Sequence, residues 1–332
     1  MIGGFWRDDK VAAPEASMAP HAEPDGSAGL IVIDNFLPQA VAGAMRADLE
    51  NHFRDPQAHR AETHQVWNYW FVPGLYTYLR TAPEKLIAVE RVRAFVEALR
   101  ARSISTLGLA GVTWPFLSLY VDGCRQGLHN DALSGRFGFV YSLTTDSRRS
   151  VGGETLVMYA GDALRGNLAN PAAGPSFYET IAPSFNRLIL FDDRLPHAVS
   201  PVEGPMDPLD GRFVLHGHIR EAGPLVNGAL SSAAVARPIA TLLQTTAIHT
   251  AARLSLYQGF LSLRFSVEPS GRVGRCDVLA DRVLHRDAGN VEWEPLRQEL
   301  VDQAAQLMFP RAAGNTTIVL PMALGEPLAK ID

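Results

Sequence analysis

The sequence predicts a mainly β protein with flanking helices. From about residue 105 to about residue 220, short apolar segments are separated by Gly, Asp, Asn and Ser, and no helix-length periodic stretch lies between them. Two earlier stretches repeat apolar residues at helical spacing. Several short strands without intervening helices favour an antiparallel sandwich or a jelly roll.

The elements before and within this region can be assigned in order. The run GLIVIDNFL (29–37) predicts a strand, and apolar residues then repeat every four positions from Val41 to Phe53, which predicts a helix with one buried stripe. A second helix is expected after Pro83, because proline suits a first helical turn. The central strands are predicted at FLSLYVDG, RFGFVYSLT, ETLVMYAG, RLILFDD and RFVLHGHI.

A different pattern follows the linker-like segment EAGPLVNGALSS. Residues 233–257 predict a helix, FLSLRFSVE alternates as a half-buried strand does, and PSGR turns it into RVGRCDVLA, which predicts a hairpin. A helix near 294–307 and the strand NTTIVLPMAL complete a small α+β unit. The predicted division is a flexible leader at 1–28, a β domain at 29–221 and an α+β domain at 222–332.

Composition limits the classes of function. The chain has 332 residues, a net charge of −5 and a pI near 6.1, and neither sign of charge forms runs, which argues against nucleic-acid or membrane partners. Cys124 and Cys276 are too few for a disulfide framework and favour a reducing compartment. The N-terminal segment lacks a signal-peptide pattern, and no apolar run approaches the roughly 20 residues of a membrane span. We therefore expect a cytoplasmic protein.

Two histidines and an acid form the strongest candidate site. LHNDAL carries His129 and Asp131 two residues apart, which in an extended strand places both side chains on one face, and His197 closes a later strand of the same sheet system. Two imidazoles and one carboxylate are the facial triad of non-haem Fe(II) oxygenases. The alternatives are a solvated strand end for the pair and hydrogen bonding to a backbone carbonyl for His197.

A basic residue follows at the start of the next strand. Arg212 begins RFVLHGHI, and a buried guanidinium needs a carboxylate to satisfy its donors. Asp192 and Asp193 are the candidate partners within the protein. A dicarboxylic cosubstrate would serve the same purpose.

Several motifs occur in a familiar order. SLYVDGCRQGLHND supplies a tyrosine, a glycine and the first ligand pair, GGETLV supplies a Gly-Gly-Glu step, and LFDDRLPHAVSPV supplies a Phe-Asp step before the second histidine. With Arg212 on the following strand, the span 29–221 resembles the Fe(II)- and 2-oxoglutarate-dependent dioxygenases of the prolyl 4-hydroxylase-like branch. The resemblance implies a double-stranded β-helix, or jelly-roll, core.

The resemblance also implies roles for individual residues. His129, Asp131 and His197 would bind Fe(II), Arg212 would pair with the distal carboxylate of 2-oxoglutarate, and Tyr120 would line the same pocket. With O2, and with ascorbate in support, the enzyme would release succinate and CO2 and hydroxylate a peptide, protein or amino-acid-like substrate at an aliphatic carbon. The presence of Asp131 argues against halogenation, because halogenating relatives lack this carboxylate.

Three positions leave alternatives open. Val214 stands where many relatives carry a serine that contacts the cosubstrate, so another hydroxyl, first of all that of Tyr120, is expected to compensate. His216 shares a strand face with Arg212 and either contacts substrate or packs in the core. The aromatic stretch 66–78, with Trp67 and Trp70, forms either a lid that contacts substrate or a staple between helices and sheet.

The C-terminal part resembles a second family. FLSLRFSVEPSGRVGRCDVL followed by a helix, the Phe309-Pro310 step and a last strand is similar to TonB-like C-terminal domains. Such domains usually follow a transmembrane helix, which this chain lacks, so we expect a reused fold that serves as a homodimer surface or a peptide-docking platform. A non-catalytic scaffold acting through this domain is the alternative function. A cupin-type metalloenzyme would leave Arg212 without a role.

Overall fold

The computed structural model describes residues 28–54, 66–158, 178–285 and 293–325. The chain divides into two compact units, and each is described by itself. The larger unit comprises the described residues of Gly29–Ala101 and Val112–Arg220. The smaller unit comprises Arg102–Gly111 and the described part of Glu221–Pro327. The domain boundaries drawn from the sequence stay predictions.

Short strands dominate the chain up to residue 220, with two long helices. The helices are α1 (Gln39–Arg54) and α2 (Val89–Leu107). The strands are β1 (Leu30–Ile33), β2 (Asn68–Val72), β3 (Tyr76–Thr81), β4 (Gly111–Val112), β5 (Phe116–Tyr120), β6 (Arg125–His129), β7 (Phe137–Ser142), β8 (Val151–Gly152), β9 (Thr155–Met158), β10 (Tyr178–Ile181), β11 (Leu188–Asp192), β12 (His197–Val199), β13 (Val202–Glu203) and β14 (Arg212–Arg220).

Twelve of these strands form one antiparallel sheet. Its order is β1-β11-β7-β14-β5-β3-β6-β12-β9-β10, with β2 added to β3 and β4 added to β14. Strands from both ends of this order line a single cavity, so the sheet curls onto itself. The mainly β, jelly-roll class of the core is therefore confirmed, and the five predicted central strands are all present.

The helices bury one face each against this sheet. In α1, Met45 and Leu49 are fully buried, as their four-residue spacing predicts. Pro83 does not begin the second helix, because it opens a separate 3₁₀ turn, Pro83–Lys85, and α2 starts only at Val89. In α2, Phe95 is buried, and its ring lies 4.8 Å from that of Tyr141 on β7. None of the helices among the described residues has the length and apolar character needed to cross a membrane.

Asn186 joins the start of α1 to the sheet. Its side-chain Oδ1 accepts hydrogen bonds from the Leu37 N–H (2.9 Å) and the Tyr141 hydroxyl (2.8 Å), and its Nδ2 donates to the Leu37 carbonyl (2.8 Å). The residue is buried and adopts a φ of 61°, a left-handed conformation that asparagine tolerates better than most residues. The amide thus satisfies backbone groups that no strand partner reaches.

The smaller unit is an α+β structure. Its helices are α3 (Ser232–Leu254) and α4 (Trp293–Ala305), and its strands are β15 (Leu225–Gly228), β16 (Tyr257–Val267), β17 (Val273–His285) and β18 (Thr316–Leu324). The strands form an antiparallel sheet in the order β15-β18-β16-β17, which includes the predicted hairpin. The resemblance to TonB-like domains stays a prediction.

One residue of this hairpin departs from the predicted pattern. Alternation predicts Ser262 on the polar face with Arg264 and Ser266, but Ser262 is fully buried while the other two are exposed. The cause is Gly108, which belongs to the same unit and lies so close that a Cβ there would be 2.8 Å from the Ser262 Cβ.

We expect Asn186→Ala to lower the free energy of unfolding of the larger unit by about 2–4 kcal/mol, because it leaves buried Leu37 groups unpaired and strains a left-handed backbone. Tyr141→Phe removes only one of the hydrogen bonds and should cost about 1 kcal/mol. Chemical denaturation of the full chain measures both values. Equal losses in the two variants would contradict the role assigned to the Asn186 amide.

Candidate metal centre

Strand pairing brings the two predicted histidine ligands together. His129 ends β6 and is the direct partner of His197 in the antiparallel register. The expectation that His197 closes a strand was wrong, because β11 ends at Asp192 and His197 begins β12. The ring centroids of the two histidines lie 4.3 Å apart. Residues directly opposite each other in an antiparallel pair have neighbouring side chains, so the register alone sets this contact.

Asp131 reaches the same place from a turn. The sequence predicted His129 and Asp131 within one extended strand, but β6 stops at His129 and Asp131 begins the following turn. Its Oδ2 lies 3.9 Å from Nε2 of His129 and 3.4 Å from Nε2 of His197. The three side chains are thus grouped as predicted, although the spacing argument for the pair was wrong.

Hydrogen bonds orient both imidazoles for metal binding. Nδ1 of His129 donates to the Gly127 carbonyl (2.8 Å), and Nδ1 of His197 donates to the Leu195 carbonyl (3.0 Å). These bonds leave each Nε2 as the lone-pair atom, and both Nε2 atoms lie near the Asp131 carboxylate. Metal-binding histidines in proteins are commonly oriented in this way.

Electrostatics favours a neutral His129 imidazole and an ionised Asp131 carboxylate. Burial, followed by the proximity of His197, lowers the pKa of His129 below its usual value. Burial alone would raise the pKa of Asp131, but the hydrogen bond and charge of His197 outweigh it and hold this pKa low. The set offers two imidazole nitrogens and one carboxylate oxygen, which fits Fe(II).

A cavity adjoins two of the three side chains, those of Asp131 and His197. It is lined from β7, β11 and β14 on one side and from β6, β9 and β12 on the other, with Asp131, His197 and Arg212 among its wall residues. Apolar walls come from Val140, Phe191 and Val214. The cavity thus joins the candidate metal ligands to the predicted anion site.

Arg212 is almost fully buried, with 1% of its surface exposed, and no described carboxylate forms an ion pair with it. Its Nη2 donates to Thr155 Oγ1 (3.0 Å), and its guanidinium lies 4.7 Å from the centre of the Tyr120 ring. Nε and Nη1 have no hydrogen-bond partner in the part of the chain that the structure describes. The candidate partners within the protein are engaged elsewhere, because Asp192 binds Arg194 (2.6 Å) and Asp193 binds His218 (3.0 Å).

Gly153 leaves room for this arginine. Its φ of 74° lies in the left-handed region, and a Cβ at this position would be 3.0 Å from Cδ of Arg212. The Gly-Gly-Glu step noted in the sequence therefore shapes the wall behind the guanidinium.

Tyr120 lines the cavity as predicted from the resemblance. Its ring stacks on that of Tyr78 at 5.1 Å, and its hydroxyl donates to Oε1 of Gln126 (3.2 Å). Burial raises the pKa of Tyr120 well above its usual value, so the hydroxyl stays protonated.

His216 and His218 extend from β14 into the same cavity. Nε2 of His216 lies 2.8 Å from the Ser118 hydroxyl, and burial lowers the pKa of His216 to about 3, so this imidazole is neutral. Burial opposes protonation of His218, but the hydrogen bond and charge of Asp193 outweigh it and raise its pKa. Both alternatives for His216, substrate contact and core packing, are compatible with this placement.

The two tryptophans of the aromatic stretch occupy different environments. Trp67 packs between Phe53 of α1 and Phe213 of β14, at ring distances of 6.4 Å each, which is the staple arrangement between helix and sheet. Trp70 is exposed on β2, where Arg80 lies 3.6 Å from the centre of its ring. Neither residue is part of the cavity wall. The substrate contacts expected for Trp67 and Trp70 stay predictions.

Sequence reasoning missed Gln126 and Thr155. The Gln126 amide lies 3.2 Å from Nε2 of His129, because a bulge between His197 and Val199 shifts the pairing and aligns Gln126 with Val199. Nothing in the sequence marks that bulge. Thr155 directly follows the Gly-Gly-Glu step, and its hydroxyl accepts a hydrogen bond from Arg212. Its place beside this motif is the sequence signal that could have identified it.

Comparisons with known proteins concern the fold. No known protein family and no curated protein matches this sequence. A prolyl hydroxylase from Trichoplax adhaerens, solved with a hypoxia inducible factor peptide fragment, is 18% identical over 57% of this chain and 81% of its own, with a TM-score of 0.41. A Pseudomonas putida prolyl-4-hydroxylase is 18% identical over 58% and 92%, with a TM-score of 0.42. The epimerase SnoN from nogalamycin biosynthesis is 13% identical over 59% and 77%, with a TM-score of 0.41.

We expect the full chain to bind one divalent ion with His129, Asp131 and His197. Titration with Co(II), which takes the same ligands as Fe(II) and has a visible ligand-field spectrum, should give one ion per chain, and Ala at any of the three positions should abolish tight binding. Asp192→Asn is the matched control, because Asp192 is buried nearby but paired with Arg194. Unchanged Co(II) affinity in His197→Ala would rule out the site.

Proposed function

We propose that this protein is an Fe(II)- and 2-oxoglutarate-dependent dioxygenase that hydroxylates an aliphatic carbon of a peptide, protein or amino-acid-like substrate. The observation that carries the proposal is Arg212. Two donor atoms of its buried guanidinium have no partner among the described residues, and Arg212 shares a cavity wall with Asp131 and His197 of the three-residue cluster. A carboxylate joined to a metal-chelating group satisfies both ends of this cavity.

Each residue has a defined task in this proposal. His129, Asp131 and His197 hold Fe(II), and Arg212 binds the distal carboxylate of 2-oxoglutarate through its free Nε and Nη1. Bound Fe(II) with 2-oxoglutarate and O2 supplies the oxidising equivalents for hydroxylation while the keto acid becomes succinate and CO2. Thr155 accepts a hydrogen bond from Nη2 and so fixes the guanidinium. Its hydroxyl compensates for the serine that many relatives carry at the position of Val214.

The surroundings of the site support this chemistry. Val140, Phe191 and Val214 make part of the wall apolar, which excludes water and strengthens the electrostatic contacts of Arg212. The Tyr120 hydroxyl, which donates to Oε1 of Gln126, stays protonated in the same cavity wall and so adds no negative charge beside Arg212. Asp131 fills the carboxylate position of the metal site, which supports hydroxylation rather than halogenation.

The exposed strand β2 supports a polypeptide as the substrate. Strand β2 pairs only with β3 among the described strands, and Tyr69, Trp70 and Phe71 on it are exposed. An exposed strand edge with aromatic side chains can bind an extended chain through its backbone groups. The alternative, a non-catalytic scaffold, gives Arg212 no ligand to satisfy its buried donors.

The first test is anaerobic. We expect apo-protein with Fe(II) and then 2-oxoglutarate to develop the weak visible charge-transfer band of keto-acid chelation, and Arg212→Ala to need about 100-fold more 2-oxoglutarate, since a charge-assisted pair is worth up to about 3 kcal/mol. Arg46→Ala is the control, because Arg46 is also buried but donates to the Leu143 and Leu209 carbonyls. No band in the wild type, or the same requirement in Arg212→Ala, would refute the proposal.

A second test uses the glycine behind the arginine. We expect Gly153→Ala to weaken 2-oxoglutarate binding by about tenfold or more, because its methyl group displaces Cδ of Arg212. Gly74→Ala is the matched control, with a φ of 77° and nothing within 4 Å of the added Cβ. Calorimetry with Mn(II)-loaded protein measures both affinities. Equal weakening in the two variants would indicate backbone strain instead of displaced Arg212.

A further inference from the structure

The Asp131 carboxylate depends on a turn for its position. Strand β6 ends at His129, so the segment 131–136 between β6 and β7 carries this ligand without a strand of its own. Such connecting segments are mobile unless other contacts hold them. A metal ligand there needs a partner that fixes the turn.

Asp193 holds both ends of that turn. Its carbonyl oxygen accepts a hydrogen bond from the Asp131 N–H (2.8 Å), and its N–H donates to the Arg136 carbonyl (3.2 Å). One residue after β11 thus fixes the turn at the ligand and at the start of β7.

The side chain of Asp193 is itself anchored. Its carboxylate is fully buried, and Oδ2 accepts a hydrogen bond from Nδ1 of His218 on β14 (3.0 Å). A Cβ at Gly135 would clash with Oδ2, and a Cβ at Gly138 would lie 2.8 Å from Oδ1. Two glycines therefore leave a space that fits this carboxylate and little else.

We propose that Asp193 and His218 form a positioning pair that holds the Asp131 carboxylate in its metal-binding place. The inference rests on the proposed function. The anchored carboxylate fixes the Asp193 backbone, and that backbone fixes the turn. Removing a partner of this kind from a metal ligand typically weakens metal affinity by about 10–100-fold.

A second metal site is the competing explanation. Asp131, Asp193 and His218 have ligand atoms within 4.8 Å of one another, a grouping that could hold an ion. Oδ1 of Asp193 has no hydrogen-bond partner among the described residues, but Oδ2 of Asp193 and Nδ1 of His218, one candidate ligand atom from each residue, already satisfy each other at 3.0 Å. The positioning role needs no additional ligand, so we favour it.

The test measures metal binding, without substrate, in the full chain. We expect Asp193→Ala to weaken anaerobic Fe(II) binding by about 10–100-fold and to alter the Co(II) ligand-field spectrum. Asp193→Asn, which keeps an acceptor for His218, should recover most of the affinity. The control Asp192→Asn loses the pair with Arg194 but should keep the wild-type affinity and spectrum.

Thermal denaturation of the apo-proteins separates positioning from general stability. Asp192→Asn and Asp193→Ala both remove a buried carboxylate, so both should lower the melting temperature, and only the second should lose metal affinity. If Asp193→Ala does not fold, Gly135→Ala replaces it, because the added methyl group displaces the carboxylate while Asp193 stays in place.

Two results would overturn this inference and leave the proposed function standing. One is wild-type Fe(II) affinity and Co(II) spectrum in Asp193→Ala or, where that variant does not fold, in Gly135→Ala. The other is two ions per wild-type chain, one of which is lost in Asp193→Ala, since that shows a second metal site. If the wild type binds no ion, or if His197→Ala binds as the wild type does, the proposed function fails and this inference with it.

Discussion

The register between β6 and β12 is the constraint on which the candidate site depends. It sets His129 directly opposite His197, and the bulge that follows turns Gln126 toward His129. A shift of one residue would send one of the two imidazoles to the other face of the sheet. The turn that carries Asp131 and the cavity wall formed by β14 lie next to this pair. The curvature of the sheet and the grouping of the candidate metal ligands therefore depend on the same strand register.

The cavity has two electrostatically different ends. At the candidate metal centre, imidazole nitrogens and a carboxylate converge, whereas at Arg212 two donor atoms have no partner among the described residues. The unpaired donors of Arg212 are unfavourable without a ligand, because buried polar groups lose hydration that nothing replaces. Under the proposed function, one ligand with a chelating end and an anionic end would complement both features.

Local pattern predicted the central strands, the C-terminal hairpin and the burial of the α1 stripe, because each depends on residues that are close in sequence. The chemical grouping of His129, Asp131 and His197 was also predicted, although Asp131 reaches it from a turn. What could not be predicted depends on tertiary contacts. The burial of Ser262 against Gly108, the bulge that aims Gln126 and the pairing of Asp193 with His218 each join segments far apart in the chain.

The different partners of the three aspartates near the site show why residue type alone cannot predict which acid binds metal and which pairs with an arginine or a histidine. Asp192 and Asp193 are adjacent and both buried, and either could have satisfied Arg212. Instead Asp192 binds Arg194, and Asp193 binds His218 and the turn that carries Asp131. Both acids are therefore engaged elsewhere, and neither neutralises the buried Arg212 guanidinium. Under the proposed function, an anionic ligand would be the partner of this guanidinium and would stabilise the folded chain by binding to it.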